Sequence, residues 1–150
     1  MSAYADTRQT ARRGWMSTLA TANPARLAEL MPELPALDHL RPAEVGAVLV
    51  RGRIGATGAP FNLGEMTVTR CSVRLADGTV GHGYVQGRDK GHALRAAVID
   101  GLMQTDQAAR LQSAVLDVLT AETAAAKSRR AEKAAATKVD FFTMVRGEDA

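Results

Sequence analysis

Residues 51–74 read RGRIGATGAPFNLGEMTVTRCSVR, a glycine-rich loop that leads directly into a run of alternating polar and apolar residues. Known phosphate-binding loops have a different context. The P-loop opens a helix with G-x-x-x-x-G-K-S/T, and the dinucleotide fingerprint G-x-G-x-x-G joins a strand to a helix. Neither spacing occurs in this loop, and the alternation after it predicts a β-strand. By themselves, these residues indicate a structural loop in front of a strand.

A β-hairpin is predicted where Asp77-Gly78 separates two alternating runs, residues 66–75 and 79–86. The dipeptide favours a two-residue type I′ turn, because Asp and Gly tolerate positive φ angles. The resulting register gives the cross-strand pairs Leu75–Val80, Val73–His82 and Cys71–Tyr84. Because side chains alternate along a strand, we expect these six to share the face that meets the helices.

The N-terminal region predicts two short helices. In the first, Trp15 and Leu19 are four residues apart and share a face. The second begins with Asn23 as its N-cap and Pro24 at the first helical position, and prolines beyond residue 31 end it. The β-branched run at residues 45–50 then predicts a buried strand.

Two further helices and a tail are predicted after the hairpin. Asp89 is a suitable N-cap for a helix with apolar residues at helical spacing up to Met103. In the following helix, the apolar residues from 120 to 138 are all alanines among Lys, Arg and Glu, which predicts an exposed helical arm. Residues 139–145 concentrate two of the three phenylalanines and form a strand-like segment that needs a surface to cover it.

These elements predict an α+β fold, with an antiparallel sheet packed by N-terminal and C-terminal helices. The chain has 150 residues, 46% of them hydrophobic, which suits a single domain. We divide it into a helical N-terminal segment (1–44), the sheet with the first long helix (45–104), a helical arm (105–138) and a docking tail (139–150).

The composition limits the class of protein without selecting a function. Nineteen basic and 16 acidic residues give a formal charge of +3, which suits phosphate-rich ligands, nucleic acid or simply solubility. The single cysteine, Cys71, cannot form an internal disulfide. No apolar run has membrane-spanning length or follows a signal-peptide start, so we expect a soluble, cytoplasmic protein that does not bind membranes.

Three blocks of sequence resemble one protein family. They are GATGAPFNLGEMTVTRCSVRL from residue 55, GHGYVQGRDK at residues 81–90 and KVDFFTMVRGED at residues 138–149. All three are similar to the G-subunit family, PhnG, of the bacterial carbon-phosphorus lyase complex. The resemblance is dense over residues 51–92 and 136–149, two separate parts of the chain.

The resemblance implies a subunit of a hetero-oligomer in phosphonate catabolism. With the other carbon-phosphorus lyase core subunits, such a chain takes part in moving the ribose triphosphate of ATP onto an alkylphosphonate with release of adenine. This is the activity of an alpha-D-ribose 1-methylphosphonate 5-triphosphate synthase, a transferase. It implies MgATP as the substrate of the assembled complex, no cofactor in this chain, principal catalytic groups on partner chains, and an inactive isolated chain.

His82 is the best single candidate for chemistry. Its neighbours Gly81 and Gly83 would let a ligand or another backbone approach the imidazole, a side chain that often serves as a general acid or base. The alternative is a half-buried strand residue beside Val73, since the sequence shows no carboxylate that would orient the ring for base catalysis. Glu65 is a further candidate, as a base or in a magnesium shell.

The other histidines and the cysteine are predicted to be structural. His39 lies in a proline-flanked loop and His92 in the first turn of a helix, and neither belongs to a recognisable triad or metal spacing. Cys71 and His82 together provide two ligands, fewer than a zinc site needs. We therefore predict no metal site in this chain.

Polar side chains around the glycine-rich loop are candidates for contact with a ligand or a partner. Guanidinium groups suit phosphate or phosphonate oxygens, and they suit an acidic protein surface equally well. The loop itself either lines a site shared with another subunit or is a rigid turn that packs Phe61 under the sheet. The predicted ligand-facing or partner-facing residues are Arg51, Arg53, Thr57, Asn62 and Arg88.

The C-terminal tail is predicted to dock on another subunit through Phe141, Phe142 and Met144, as an added strand or an apolar plug. The sequence leaves two other functions open. One is a free-standing enzyme with its own site at His82. The other is a nucleic-acid-binding module that uses the basic N-terminal helix pair. We disfavour nucleic acid as a partner, because the second helix is acidic at Glu29, largely apolar and too short for a recognition helix.

Overall fold

The structure, a computed structural model, describes the backbone of residues 2–138 and the side chains of residues 7–138. Its helices are α1 (Ser2–Thr21), α2 (Pro24–Leu30), α3 (Lys90–Leu102), α4 (Ala108–Leu111) and α5 (Asp117–Ala136), with a π-helical turn (Gln112–Leu116) between the last two. The strands are β1 (Leu37–Arg53), β2 (Pro60–Leu75) and β3 (Val80–Gln86), with a 3₁₀ turn (Ile54–Ala56) between the first two. The predicted α+β class is confirmed.

The described sheet is antiparallel with the strand order β1-β2-β3. Its first strand begins at Leu37 instead of residue 45, so the N-terminal segment is helical only as far as Leu30. The chain divides into two compact units, Met1–Thr120 and Ala121–Ala150, and the sheet belongs to the first. In the part of the chain that the structure describes, no helix is long and apolar enough to cross a membrane.

Two helix starts follow directly from local sequence. The Asn23 side-chain oxygen accepts hydrogen bonds from the backbone N–H groups of Ala25 (2.9 Å) and Arg26 (3.2 Å), with Pro24 at the first helical position of α2. The Asp89 carboxylate accepts the N–H of His92 (2.9 Å) at the start of α3. Both predicted N-caps are confirmed, because a cap needs no partner beyond its own first turn.

One face of the sheet packs on the helices and forms the core of the first unit. The sheet contributes Cys71, Val73, Leu75 and Val85, and α3 contributes Ala93, Ala96, Ala97, Val98, Ile99 and Leu102. Leu19 from α1, Leu27 from α2 and four apolar residues between Leu111 and Leu119 complete it. Cys71 is 1% exposed and burial raises the pKa of its thiol, so its predicted structural role is confirmed.

The turn between β2 and β3 differs from the predicted one. The Gly78 N–H donates to the Leu75 carbonyl (2.9 Å), and the Leu75 N–H donates to the Thr79 carbonyl (2.9 Å). The connection therefore has three residues and ends with Gly78 at φ +87°, the pattern of a hairpin loop with a glycine bulge. The Asp77 carboxylate accepts the N–H and hydroxyl of Thr79 (2.9 Å each), which lowers the pKa of Asp77.

This extra loop residue reverses the faces of β3. The observed pairs are Arg74–Val80, Val73–Gly81, Ser72–His82, Cys71–Gly83 and Arg70–Tyr84. The predicted register was wrong by one residue, and such a shift turns every side chain of a strand to the opposite face. His82 and Tyr84 consequently face away from the helices, while Gly81 and Gly83 face α3.

Helix α3 lies directly on the two glycines of β3. A Cβ at Gly81 would overlap the Ala97 carbonyl oxygen and lie 2.6 Å from the Gly101 nitrogen. A Cβ at Gly83 would overlap the Ala93 carbonyl oxygen. The sequence left open whether a ligand or another backbone approaches these glycines, and the structure shows a helix backbone.

Gly81→Ala should destabilise the fold by about 3 kcal/mol or more, because the helix must move to accommodate one methyl group. Gly46→Ala is the matched control, since this strand glycine has no atom within 4 Å of its Cβ position. Urea denaturation followed by circular dichroism measures both. Equal unfolding midpoints for the two variants would contradict the packing argument.

Candidate functional site

His82 lies on the solvent-facing side of the sheet, and its side chain is exposed. Ser72 stands opposite on β2, with its Oγ 2.9 Å from the His82 Nδ1. Arg70 and Arg74 lie two residues to either side of Ser72 and are exposed on the same face. The sheet surface thus brings together an imidazole, a hydroxyl and two guanidinium groups.

This surface has binding chemistry but is not a complete catalytic unit. Nucleophilic catalysis by a Ser–His pair needs a third group that orients the imidazole. Among the described side chains, no carboxylate hydrogen-bonds to the His82 ring. An exposed imidazole beside guanidinium groups is suited to contact an anion or to transfer a proton to one.

Asp100 is the most heavily hydrogen-bonded side chain near this surface, and it is not among the residues predicted from the sequence. Its side chain is fully buried on α3, on the other side of β3 from the His82 ring. Its Oδ2 accepts the backbone N–H of His82 (2.8 Å) and the Nη2 of Arg12 (2.6 Å). Its Oδ1 accepts the Nε of Arg12 (3.0 Å) and the Nε1 of Trp15 (2.9 Å).

The four hydrogen bonds of Asp100 connect α1, α3 and β3. Arg12, whose side chain is 33% exposed, neutralises the buried carboxylate. The carboxylate also accepts the His82 backbone N–H at the outer edge of β3. Asp100 therefore positions the strand that carries His82 and is itself inaccessible to substrate. The available sequence signal was one carboxylate in the apolar run AAVIDGLM, at residues 96–103.

Asp100→Asn should destabilise the fold by about 2–4 kcal/mol, because an amide nitrogen would face two N–H donors whichever way it is oriented. Asp106→Asn is the control, since Asp106 is exposed and follows the same helix. Thermal unfolding monitored by circular dichroism compares them. A melting temperature for Asp100→Asn equal to that of the control would contradict the connecting role of Asp100.

The other predicted contact residues lie mainly on the β1–β2 hairpin. Arg51, Arg53, Asn62 and Glu65 are exposed on its strands, and Thr57 is exposed at its tip. Arg51 pairs with Asn62, and Leu49 pairs with Glu65, so the side chains of these pairs share one face of the hairpin. Arg88 is elsewhere, exposed just after β3.

Apart from Arg88, the predicted site residues within residues 7–138 therefore form two groups. The hairpin carries Arg51, Arg53, Thr57, Asn62 and Glu65, whereas the face of the three-stranded sheet carries His82. The sequence could not separate the two groups, because the glycine-rich loop and β2 follow each other without a break. The boundary between the hairpin and the three-stranded sheet is set by where β3 stops pairing with β2.

The predictions for the other two histidines and for the C-terminal tail have different outcomes. His39, predicted in a loop, lies in β1 opposite Val73. His92 is 3% exposed, and its Nε2 donates to the Leu19 carbonyl (2.8 Å), so its packing role is confirmed. Phe141, Phe142 and Met144 lie outside the described residues, and their predicted docking role stays a prediction.

Comparison with known proteins identifies the family. The family described as phosphonate metabolism protein PhnG matches residues 10–147. A relative from Rhizobium meliloti (strain 1021), alpha-D-ribose 1-methylphosphonate 5-triphosphate synthase subunit PhnG, is 45% identical over 141 residues, which is 92% of this chain and 90% of the relative. The chain belongs to the PhnG family.

The family match includes both the Asp100 contacts and the β1–β2 hairpin, because it begins at residue 10 and runs past α5. Within residues 7–138, no group of three or more His, Cys, Asp or Glu side chains is placed to hold a metal ion.

Exposed apolar side chains are concentrated on the hairpin. Seven large apolar side chains are exposed among the described residues, and six of these belong to β1, the tip or β2. They are Leu40 (44%), Val45 (43%), Leu49 (61%), Ile54 (72%), Phe61 (39%) and Leu63 (66%). The seventh is Tyr84 (45%), beside His82 on the sheet. Such a concentration marks a candidate interaction surface.

Proposed function

We propose that this chain is a subunit of an alpha-D-ribose 1-methylphosphonate 5-triphosphate synthase in phosphonate catabolism. The observation that carries the proposal is the 45% identity to a subunit of that synthase over nine-tenths of both chains. In the proposed reaction, an alkylphosphonate oxygen forms a bond to C1′ of the ribose of MgATP, and the bond from C1′ to adenine breaks. Adenine leaves with a proton, and the triphosphate stays on the ribose.

The chemistry of the described residues supports a contribution that needs partner chains. His82 has a hydroxyl neighbour but no orienting carboxylate, and Asp100 is buried and paired. Both substrates of the proposed reaction are anions, which suits the guanidinium groups beside His82. We place the principal catalytic groups on other subunits of a hetero-oligomer, with this chain completing a shared site.

A nucleic-acid interface on the N-terminal helices receives less support. Arg12 is held by Asp100 and Arg26 by Glu29 (2.8 Å), so two of the basic side chains are already paired. Helix α2 has seven residues, about two turns, which is short for a helix that reads a groove. Salt-sensitive nanomolar DNA binding by the chain would favour this alternative instead.

The isolated chain should release no adenine from MgATP and methylphosphonate, whereas the chain mixed with the other synthase subunits should. Chromatographic detection of adenine measures the reaction, and omission of this chain from the complete mixture is the control. Adenine release by the chain alone would identify a self-sufficient enzyme. An unchanged rate without the chain would show that the synthase does not need it.

His82→Ala should lower the turnover number of the assembled synthase about tenfold or more, because an imidazole that contacts the reacting anions contributes at least this much. The exposed side chain should matter little for stability, so the melting temperature and subunit stoichiometry should stay unchanged. The pH dependence of turnover, compared with that of His82→Gln, separates proton transfer from contact alone. Full activity of His82→Ala would exclude this face from the site.

A further inference from the structure

The hairpin extends beyond the part of the sheet that packs on the helices. Strand β3 pairs with β2 from Val68 to Arg74, and the Gly87 N–H still donates to the Thr67 carbonyl (2.9 Å). Outward from the Ala47–Thr67 pair, the ladder joins β1 and β2 alone. We call residues 47–67 the distal hairpin. In the described chain no third strand extends it, and all residues from 59 to 65 are exposed. A two-stranded ribbon of this kind is marginally stable in water by itself.

One face of the distal hairpin is apolar throughout. Val48 pairs with Met66, and Val50 follows two residues later on the same side of β1. The side chains of Phe61 and Leu63 both lie 3.8 Å from the position that a Cβ of Gly52 would occupy, which places them on this side as well. The apolar face is formed by Val48, Val50, Phe61, Leu63 and Met66.

The opposite face is mixed. Leu49, 61% exposed, pairs with Glu65, and Arg51 pairs with Asn62 on the same side. Within the distal hairpin the charged residues are Arg51, Arg53 and Glu65, so its net charge is +1. Both faces therefore present large apolar side chains. Two of the three charged residues of the distal hairpin are basic.

At the tip of the hairpin, Ile54 lies in a turn that a backbone hydrogen bond closes. The Gly58 N–H donates to the Ile54 carbonyl (2.9 Å), and an Arg53 guanidinium nitrogen donates to the Gly58 carbonyl (3.1 Å). Gly55 and Ala56 have φ angles of +58° and +66°, a left-handed conformation that is strained for alanine. Ile54 projects from this loop and is 72% exposed, more than any other large apolar side chain described.

We propose that the distal hairpin inserts into an apolar cleft with an acidic margin on another subunit of the synthase. The identity of the partner rests on the proposed function, and the mode of binding rests on the two exposed faces. A surface that contacted one face would leave Leu49 or the pair Phe61 and Leu63 in water. Covering both faces requires a cleft, and Arg51 and Arg53 then lie against its margin.

The available area also favours insertion. A ribbon about 25 Å long and 10 Å wide offers roughly 250 Å² on each face, and a stable interface takes about 800 Å² from each partner. One face falls well short of that area, whereas two faces with the edges and the tip approach it. A second copy of this chain paired along the β1 edge would cover neither face, and it would bring together two surfaces of net positive charge.

Ile54→Asp and Leu63→Asp test the insertion, and Ala109→Asp is the control, because Ala109 is an exposed apolar residue on α4, an element that belongs neither to the hairpin nor to the face that carries His82. Each full-length variant is titrated against the other synthase subunits by interferometry. We expect each hairpin variant to weaken binding at least about 30-fold, the loss at an interface hot spot, and the control to change it less than threefold. Melting temperatures within about 2–3 °C of the parent would show that the variants fold.

Wild-type chain that binds the synthase subunits while Ile54→Asp and Leu63→Asp bind equally well would overturn the insertion and leave the proposed function intact. Wild-type chain that does not bind them at all would overturn the proposed function itself. Light scattering of the isolated chain tests whether a second copy of this chain covers the hairpin instead. A homodimer that Leu63→Asp dissociates would show that a second copy covers the hairpin, which also contradicts the proposal.

Arg51→Glu combined with Arg53→Glu tests the acidic margin. We expect slower association and a weaker dependence of the association rate on salt, because these charges attract the partner before contact. An association rate equal to that of the wild type at low salt would remove the acidic margin from the proposal.

Discussion

Helix α3 lies so close to β3 that no side chain fits between them at Gly81 and Gly83. The glycines must face the helix, because any other residue at these positions would overlap backbone atoms. Alternation along the strand then forces His82 and Tyr84 onto the opposite face. The exposure of the imidazole is in this way a consequence of helix packing, and the same contact fixes the register of β3 on β2.

Asp100 stabilises this arrangement from inside. A buried carboxylate would be costly alone, but four N–H donors from α1 and β3 satisfy it, including both donors of an Arg12 fork. The charge can be neutralised because Arg12 reaches it while remaining partly in water. The helical layer and the edge of the sheet are thereby held together by a buried polar contact.

The supported sheet and the projecting hairpin have different physical requirements. Where the sheet packs on α3, its side chains are fixed by the core, and its outer face can hold polar groups in defined positions. Beyond the last residue of β3, the hairpin lacks such a layer and keeps large apolar side chains in water. The proposed function would use both features, a rigid surface for contact with substrates and a second surface that binds another subunit.

The sequence alone determined the local features. The N-caps Asn23 and Asp89 could be identified because a cap depends on neighbours within three residues, and the α+β class and family followed from periodicity and quoted motifs. Tertiary structure decided the rest. One extra loop residue before Thr79 set which face His82 occupies, and Arg12 meets Asp100 across 88 residues of sequence. Neither the register of a strand nor a contact between distant residues is specified by local propensity, because each depends on what packs against it.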